Sequence, residues 1–469
     1  MKSSLPKYLS FGTLALLAMV LILSTIAGKY YGFSFAVENI YSTGWFVILW
    51  GIMSLSGIWY IFKTPVKKIL ATLFLHLAFV VVLAGALVTY LTAERGTLFM
   101  CKESVPASMF MKSDGSTAKF PFRLSLLDCG VVPCEESDAP HDYFAKLLVQ
   151  QGEGDQEVAK LSMNNIYNSN GYRLYISEVS GDCVTLLVSR DSRGTCITYT
   201  GYLLTVLAFI LLFFARNTQR ASLTRKTEKK NSDKADVPHR TKIVALSLLM
   251  CTLITCMGVW RASKTEVFPV TNGTEVLMFI AWGAFLSVGL LRKNKHMMLG
   301  AFGLAVLCVV IALSSGVTQA GDVQPVLRTP LLPLHVVSIV VSYFFIALLA
   351  VNASVALFIY RFKGDYERME SMALRGRQML YISTFFLVVG IFLGAVWANI
   401  SWGRYWGWDP KEVWALITLI ICSLGFHTRS LPFMARPLIF HCFCIVAFIA
   451  VLFTYFGVNF LLGGLHAYA

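Results

Sequence analysis

Charge is what this sequence has least of. Only 14% of its residues are Asp, Glu, Lys or Arg, against about 25% in an average soluble protein. The shortage falls on the acidic side, with 26 Asp and Glu against 40 Lys and Arg. A chain that is 56% hydrophobic has too little polar surface for a soluble globule, whose apolar share is roughly 45–50%. Two cysteine motifs are also missing. No Cys-x-x-Cys occurs among the eleven cysteines, which excludes an obvious thiol oxidoreductase. No Cys-x-x-Cys-His occurs either, so the chain does not carry a c-type haem of its own. There is no internal repeat. Residues 11–27 lack the small-residue cleavage site of a secretory leader and read as a retained helix.

What is there is a series of long apolar runs. Eleven spans are expected, at 11–27, 42–62, 69–92, 197–215, 243–260, 273–291, 297–315, 334–360, 378–396, 413–430 and 438–460. About 20 apolar residues cross a bilayer as a helix. The loops at 63–68, 216–242, 292–296, 361–377 and 429–436 are basic, and those between them are poor in Lys and Arg. Basic loops stay cytoplasmic. The alternation places the N-terminus inside, the C-terminus outside and residues 93–196 outside. The net charge of +14 is then a topology signal, and no nucleic-acid partner is expected. Within 93–196, apolar and polar residues alternate at 122–126, 172–176 and 184–188, between turn sequences such as Ser113-Asp114-Gly115. That is a β pattern.

The expected fold is a polytopic all-α membrane protein of about 11 transmembrane helices with one small β-rich extracytoplasmic domain. Its parts are helices 1–3 over 1–92, the β-rich domain over 93–196, helix 4 over 197–215, a basic cytoplasmic linker over 216–242 and a second helical half over 243–469. Spacing allows the disulfides Cys129–Cys134 and Cys183–Cys196, with Cys101 left over. Connectivity itself is not readable from sequence.

The segment 397–414 holds five tryptophans, a tyrosine and the run Trp408-Asp409-Pro410-Lys411-Glu412 between two apolar helices. Trp and Tyr gather at membrane interfaces as anchors, but one or two would serve for that. Flat apolar rings beside charges suit a planar amphipathic ligand, and haem is one. The candidate haem-binding residues are Trp397, Trp402, Gly403, Tyr405, Trp406, Trp408, Asp409, Pro410, Lys411, Glu412 and Trp414. Arg404 and Lys411 are candidates for the propionates. Asp409 and Glu412 also suit a helix cap.

The expected topology sorts the eight histidines. His76 and His427 share a depth near the inner face, about 20 Å below the aromatic segment by helix rise. His335 and His466 lie at the outer face, level with it. Neutral imidazole ligates haem iron, so each pair is a candidate set of axial ligands. His441 also lies on the inner side and competes with that pair. His141, His239 and His296 read as solvated loop residues.

These residues together resemble the haem-handling superfamily with a tryptophan-rich WWD loop. More narrowly they are similar to the System II cytochrome c synthase, in which CcsB (ResB) is fused to CcsA (ResC). The likeness over roughly 320–469 rests on four segments. They are Gly394 to Asn399 with the loop that follows; Gln324-Pro325 ahead of His335, with Ser342-Tyr343; His427-Thr428-Arg429; and Phe456-Gly457-Val458-Asn459 with Gly464-Leu465-His466. In the first half, Pro121-Phe122-Arg123-Leu124, Gly171 to Tyr175, Leu187 to Asp191 and the intramembrane His76 resemble ResB. The chain departs from that family in a shorter external domain and in Ile400, where an acidic residue is usual.

The resemblance implies a bacterial cytoplasmic-membrane holocytochrome c synthase. It would carry haem b to the outer face and attach it to Cys-x-x-Cys-His of an apocytochrome c, aided by thioredoxin-like thiol reductants. Two other readings stay open: a haem exporter or chaperone that serves a separate ligase, and a b-type cytochrome that passes electrons across the membrane.

Overall fold

The computed structural model describes residues 4–64, 69–133, 140–152, 155–220, 237–265, 267–314 and 325–462. Among these, ten helices are long and apolar enough to cross a membrane. The first half supplies α1 (Ser4–Tyr31), the short α2 (Phe33–Ala36), α3 (Gly44–Lys63), α4 (Leu70–Thr92) and α5 (Ser192–Arg220). The second half supplies α6 (Val237–Thr265), α7 (Gly273–Leu290), α8 (Lys295–Ser314), α9 (Leu331–Lys363), α10 (Tyr366–Ser401), α11 (Pro410–Leu424) and α12 (Pro437–Leu452). A π-helical stretch, Phe453–Leu462, continues α12.

One expected span does not form at full length. The tenth run, 413–430, is realised as α11, whose 15 residues reach about 22 Å, short of a hydrocarbon core of about 30 Å. Proline sets its start at Pro410. It stops at Gly425, whose backbone is pressed so closely against Leu380 and Phe443 that a Cβ would meet them at 2.5 and 2.8 Å. The segment 361–377, read as a basic loop, is instead almost wholly helical. Gly364 at φ 64° caps α9, and Asp365 caps α10 by accepting from the Arg368 amide at 2.9 Å. These residues are polar and lie beyond the apolar run, so hydropathy alone does not mark them as helix. His141 lies in a strand, and His239 and His296 in α6 and α8, so none of the three is in a loop.

Between α4 and α5 lie eight antiparallel strands in the order β5-β4-β3-β2-β1-β8-β7-β6. These are β1 (Glu94–Cys101), β2 (Ala107–Lys112), β3 (Thr117–Pro133), β4 (Pro140–Gln151), β5 (Asp155–Ser162), β6 (Tyr167–Ser169), β7 (Tyr172–Ser180) and β8 (Cys183–Arg190). The sheet curls around one core. Alternate residues point inward, among them Phe120, Phe122, Leu124 and Leu126 from β3, Leu147 and Val149 from β4, and Val184, Leu186 and Val188 from β8. The period of 2 seen in the sequence is therefore the packing period.

Helices α4 and α5 pass directly into the neighbouring strands β1 and β8, so this β-domain stands on a helix pair. The pair packs tightly because Gly85 and Gly194 leave no room for side chains: a Cβ there would lie 2.3 Å from the Thr198 hydroxyl or 2.0 Å from that of Thr89. Small residues let membrane helices approach in this way. The disulfide is Cys101–Cys183. It joins residues directly opposite each other in β1 and β8, a register that sequence spacing does not reveal. Cys196 is a free, exposed thiol at the start of α5, and Cys129 is free and buried, so neither expected pair forms. Cys134 lies outside the described residues.

Candidate functional site

Two places in the bundle gather the chemistry, one at each end of α4. At the far end from the β-domain, His76 of α4 meets His427, which sits on the turn after α11. Their ring centroids are 6.1 Å apart and the planes are nearly perpendicular. Both rings are held the same way. His76 Nδ1 donates to the Thr72 carbonyl at 2.7 Å, and His427 Nδ1 donates to the Ser423 carbonyl at 2.8 Å. A carbonyl only accepts, so each Nδ1 carries a proton, and Nε2 is the nitrogen of each ring that a metal would take. That is the tautomer a metal takes, with the second nitrogen fixed by a backbone carbonyl. Two imidazole–metal bonds of about 2 Å each, plus half of each ring, span roughly the observed separation. The residues present thus fit a haem iron held between them. Phe11 of α1 closes the site edge-on to His427, 5.5 Å away.

His441 is placed differently. It is fully buried, and its Nε2 donates to the Met369 carbonyl at 3.1 Å. That bond ties α12 to α10 and occupies the nitrogen that the other two rings leave for a ligand.

At the other end, about 24 Å along α4 by helix rise, lies the tryptophan-rich segment. Only residues 402–409 are loop. Trp397 belongs to α10 and Trp414 to α11. Asp409 caps α11 and Glu412 reaches back, accepting from the amides of Asp409 at 3.2 Å and Gly407 at 2.9 Å. This is the reciprocal cap expected of the pair. Trp408 sits at φ 62° and stacks on Tyr41, 4.6 Å away with planes 8° apart. Trp402 packs on Trp397 at 4.8 Å, and Trp414 on Phe453 at 4.0 Å. Trp406 lies at 5.8 Å, edge-on to Trp408, with an enclosed indole N–H that has no partner among the described residues.

The two loop glycines do not open their backbones to a ligand. A Cβ on Gly403 would come within 2.7 Å of the Tyr175 ring, and one on Gly407 within 2.9 Å of Arg404 Nε. Protein fills both places. Lys411 Nζ donates to Asn459 Oδ1 at 3.1 Å, whereas the Arg404 guanidinium lies across the loop over Gly407.

His335 begins α9 beside this loop. Its Nδ1 donates to the Gly390 carbonyl at 2.7 Å. Its ring fills the space over Gly394, where a Cβ would meet it at 2.5 Å. The neighbouring Val336 packs with Trp397 and Trp402. His466, its expected partner, lies outside the described residues, as does Gln324.

Further residues that build this end come from α10 and from the β-domain. Gly390 and Gly394 form the small-xxx-small pair that lets α9 and α10 close around His335, and the G-x-x-x-G spacing was the available signal. The β-domain residues lie in the segments that resemble ResB, but nothing in the sequence assigns their partners. Tyr175 donates to the Asn399 carbonyl at 3.0 Å, Arg173 to Asn399 Oδ1 at 3.0 Å and Ser189 to the Gly403 carbonyl at 2.7 Å. Asn399 donates in turn to the Tyr199 hydroxyl at 2.7 Å. Burial pushes the Tyr175 hydroxyl up to about 12, so it remains a neutral donor. Asn164 of the β-domain also donates to the Pro325 carbonyl at 2.8 Å, just ahead of α9. The β-domain therefore grips both segments that carry the outer candidates.

Comparison with known proteins addresses the second half. The Cytochrome C assembly protein family matches residues 270–466. Protein NrfI of Wolinella succinogenes is 32% identical over 49% of this chain and 27% of its own length. The cytochrome c biogenesis protein CcsA of Chlamydomonas reinhardtii is 30% identical over 44% of this chain and 63% of its own. CcsA of a Synechococcus species is 29% identical over 58% of this chain and 96% of its own. The chain thus spans about a quarter of the first of these relatives and under two thirds of the second. Residues 270–466 thus carry the match to the Cytochrome C assembly protein family, and the chain is similar to proteins named CcsA.

Proposed function

Starting from a chain whose residues 270–466 match the Cytochrome C assembly protein family, we propose that the whole protein acts in cytochrome c biogenesis as a haem-handling synthase. It receives haem b between His76 and His427, passes it to the opposite end, and presents it there for attachment to the Cys-x-x-Cys-His of an apocytochrome c. The observation that carries this reading is the inner pair. Two histidines from opposite halves of the chain meet at 6.1 Å, both with Nδ1 bonded to a carbonyl. The basic loops place that end on the cytoplasmic side and the loop with its β-domain outside.

At the outer end, His335 and His466 ligate the iron and the tryptophan segment flanks the porphyrin. Haem is the substrate. Each client cysteine Sγ bonds to the inner carbon of a vinyl group and its proton goes to the terminal carbon, so no electrons are gained or lost. The chain's contribution to such an addition is to hold the reactants in line, which alone supplies several kcal/mol. Thioredoxin-like reductants keep the client thiols reduced.

The test is expression of the full chain with a Cys-x-x-Cys-His reporter in a host without its own maturation genes. Covalent haem in the reporter is the expected result. A reporter that stays apo while the chain fills with haem would assign it to export or chaperoning instead. Haem that is reduced and reoxidised with no effect on the reporter would assign it to electron transfer.

A further inference from the structure

The β-domain brings two arginines against the loop, and their arrangement calls for an anion. Arg95 of β1 stands directly opposite Ser189 of β8, and Ser189 stands directly opposite Arg173 of β7. Opposed residues in antiparallel strands project from one face, with Cα atoms about 4.5–5.5 Å apart at each step. Arg95, Ser189 and Arg173 therefore form a row across three strands. Ser189, in its middle, is the residue bonded to the Gly403 carbonyl, so the next residue, Arg404, is brought against the same row. Arg95 senses the charges of Asp191, Arg404 and Arg173, and burial combined with the like charges holds its proton affinity below the usual arginine range.

Of the three cations, Arg95 feels the opposite charge of Asp191, whose one oxygen accepts from the Thr89 hydroxyl at 2.8 Å and whose other has no hydrogen-bond partner among the described residues. Among the described residues, no ion pair joins Arg95, Arg173 or Arg404 to an acidic side chain. Arg173 uses Nη1 on Asn399. Its Nη2 and the Nε of Arg95 are enclosed and without a partner. Like charges collected away from water, with donors left over, are unfavourable unless an acceptor of opposite charge completes them. The planar guanidinium matches a carboxylate with two parallel hydrogen bonds.

We infer that Arg95 and Arg173 of the β-domain, together with Arg404 of the loop, form a carboxylate seat that takes a propionate of the haem. This rests on the haem-handling reading above. It gives the first half of the chain a direct part in holding the substrate: the tryptophans meet the apolar face and the β-domain meets the acidic edge. It also accounts for the grip of Ser189 and Tyr175 on the loop, which keeps the cations level with the rings. A carboxylate of the client polypeptide has the same chemistry, so the test must separate the two sources.

The experiment uses the full-length protein in lipid nanodiscs, freed of haem, with two probes: iron protoporphyrin IX and its dimethyl ester, which lacks both charges. The unaltered protein is expected to prefer the diacid by roughly tenfold or more, the scale of a charge-assisted contact. In R95Q/R173Q that preference should fall toward unity, while the ester binds as before. R95K/R173K keeps the charges but not the planar fork, and should retain part of the preference. Each preparation is compared with itself, so partial loss of folded protein does not alter the ratio. An unchanged preference in R95Q/R173Q would overturn the seat, as would an equal loss for diacid and ester. If the preference is unchanged but apocytochrome binding weakens, the seat belongs to the client and the propionate assignment is wrong. If the unaltered protein binds neither porphyrin, the haem-handling reading fails first and the seat with it.

Discussion

The two ends of the bundle are built on different plans. At the end bearing His76 and His427, two rings meet across the halves of the chain with one backbone hydrogen bond each. At the other end, the halves are joined by a mesh of side chains: Tyr175 and Arg173 to Asn399, Ser189 to Gly403, and the Tyr405 hydroxyl donating to Thr89 at 2.8 Å. A sparse contact between two imidazole rings suits a site that fills and empties. A dense one suits a site that must hold a large substrate in register with a second reactant. The comparison implies that single substitutions should strip the inner site, whereas the outer site should lose function in steps.

The largest effect at the outer end is expected for His335. H335G should cut cytochrome c output by at least about tenfold, the scale for loss of support at a metal, and added imidazole should restore part of it. Full output without imidazole would remove His335 from the ligands. Next is the loop. A W402A/W406A/W408A variant that still inserts should lose haem per polypeptide. Trp408 also packs on Tyr41 and Phe46, so protein abundance must be measured alongside. A normal haem ratio and normal output would make the segment an interfacial anchor only.

A smaller effect should follow from loosening the mesh. S189A removes one hydrogen bond to the loop, worth about 1 kcal/mol or roughly fivefold in an equilibrium. It should raise hydrogen exchange around Gly403 and lower output by a similar factor, with the inner haem unchanged. If exchange at the loop does not move, the β-domain does not steady it. The smallest effect lies inside the β-domain. Hydrogen bonds from Lys146 and Lys102 hold the Asp128 carboxyl below the usual aspartate range. A depressed carboxylate pKa adds stability that is complete above the ordinary value of about 3.9 and is lost as pH falls through the lower folded value. D128N should therefore lower exchange protection in β3 and β4 slightly at neutral pH, change it little once the pH is below the folded value, and so flatten its loss over that acid range.

The same comparison explains what the sequence made legible. The inner pair followed from counting residues along helices, because rise per residue converts position into depth. The strands followed from a period of 2, and the cap at Asp409 from its spacing to Glu412. Contacts between Ser189 and Gly403, or between Arg173 and Asn399, join positions more than 200 residues apart, and no local period encodes them. The disulfide partner of Cys183 depended on strand register for the same reason. The short α11 was missed because hydropathy runs on past Gly425, and only its packing against α10 and α12 turns the chain. The occupants of the space beside Gly403 and Gly407, Tyr175 and Arg404, come from tertiary structure.

The central claim is that one haem iron sits between His76 and His427. The most direct test is the low-spin spectrum of haem bound to the purified protein, taken for the unaltered chain and for H76A, H427A and H441A. A bis-imidazole signal from acid–acetone-extractable haem is expected in the unaltered protein and in H441A, where the ring only ties α12 to α10. That signal should be lost from H76A and H427A alike. Its persistence in both, or its loss in H441A alone, would contradict the account.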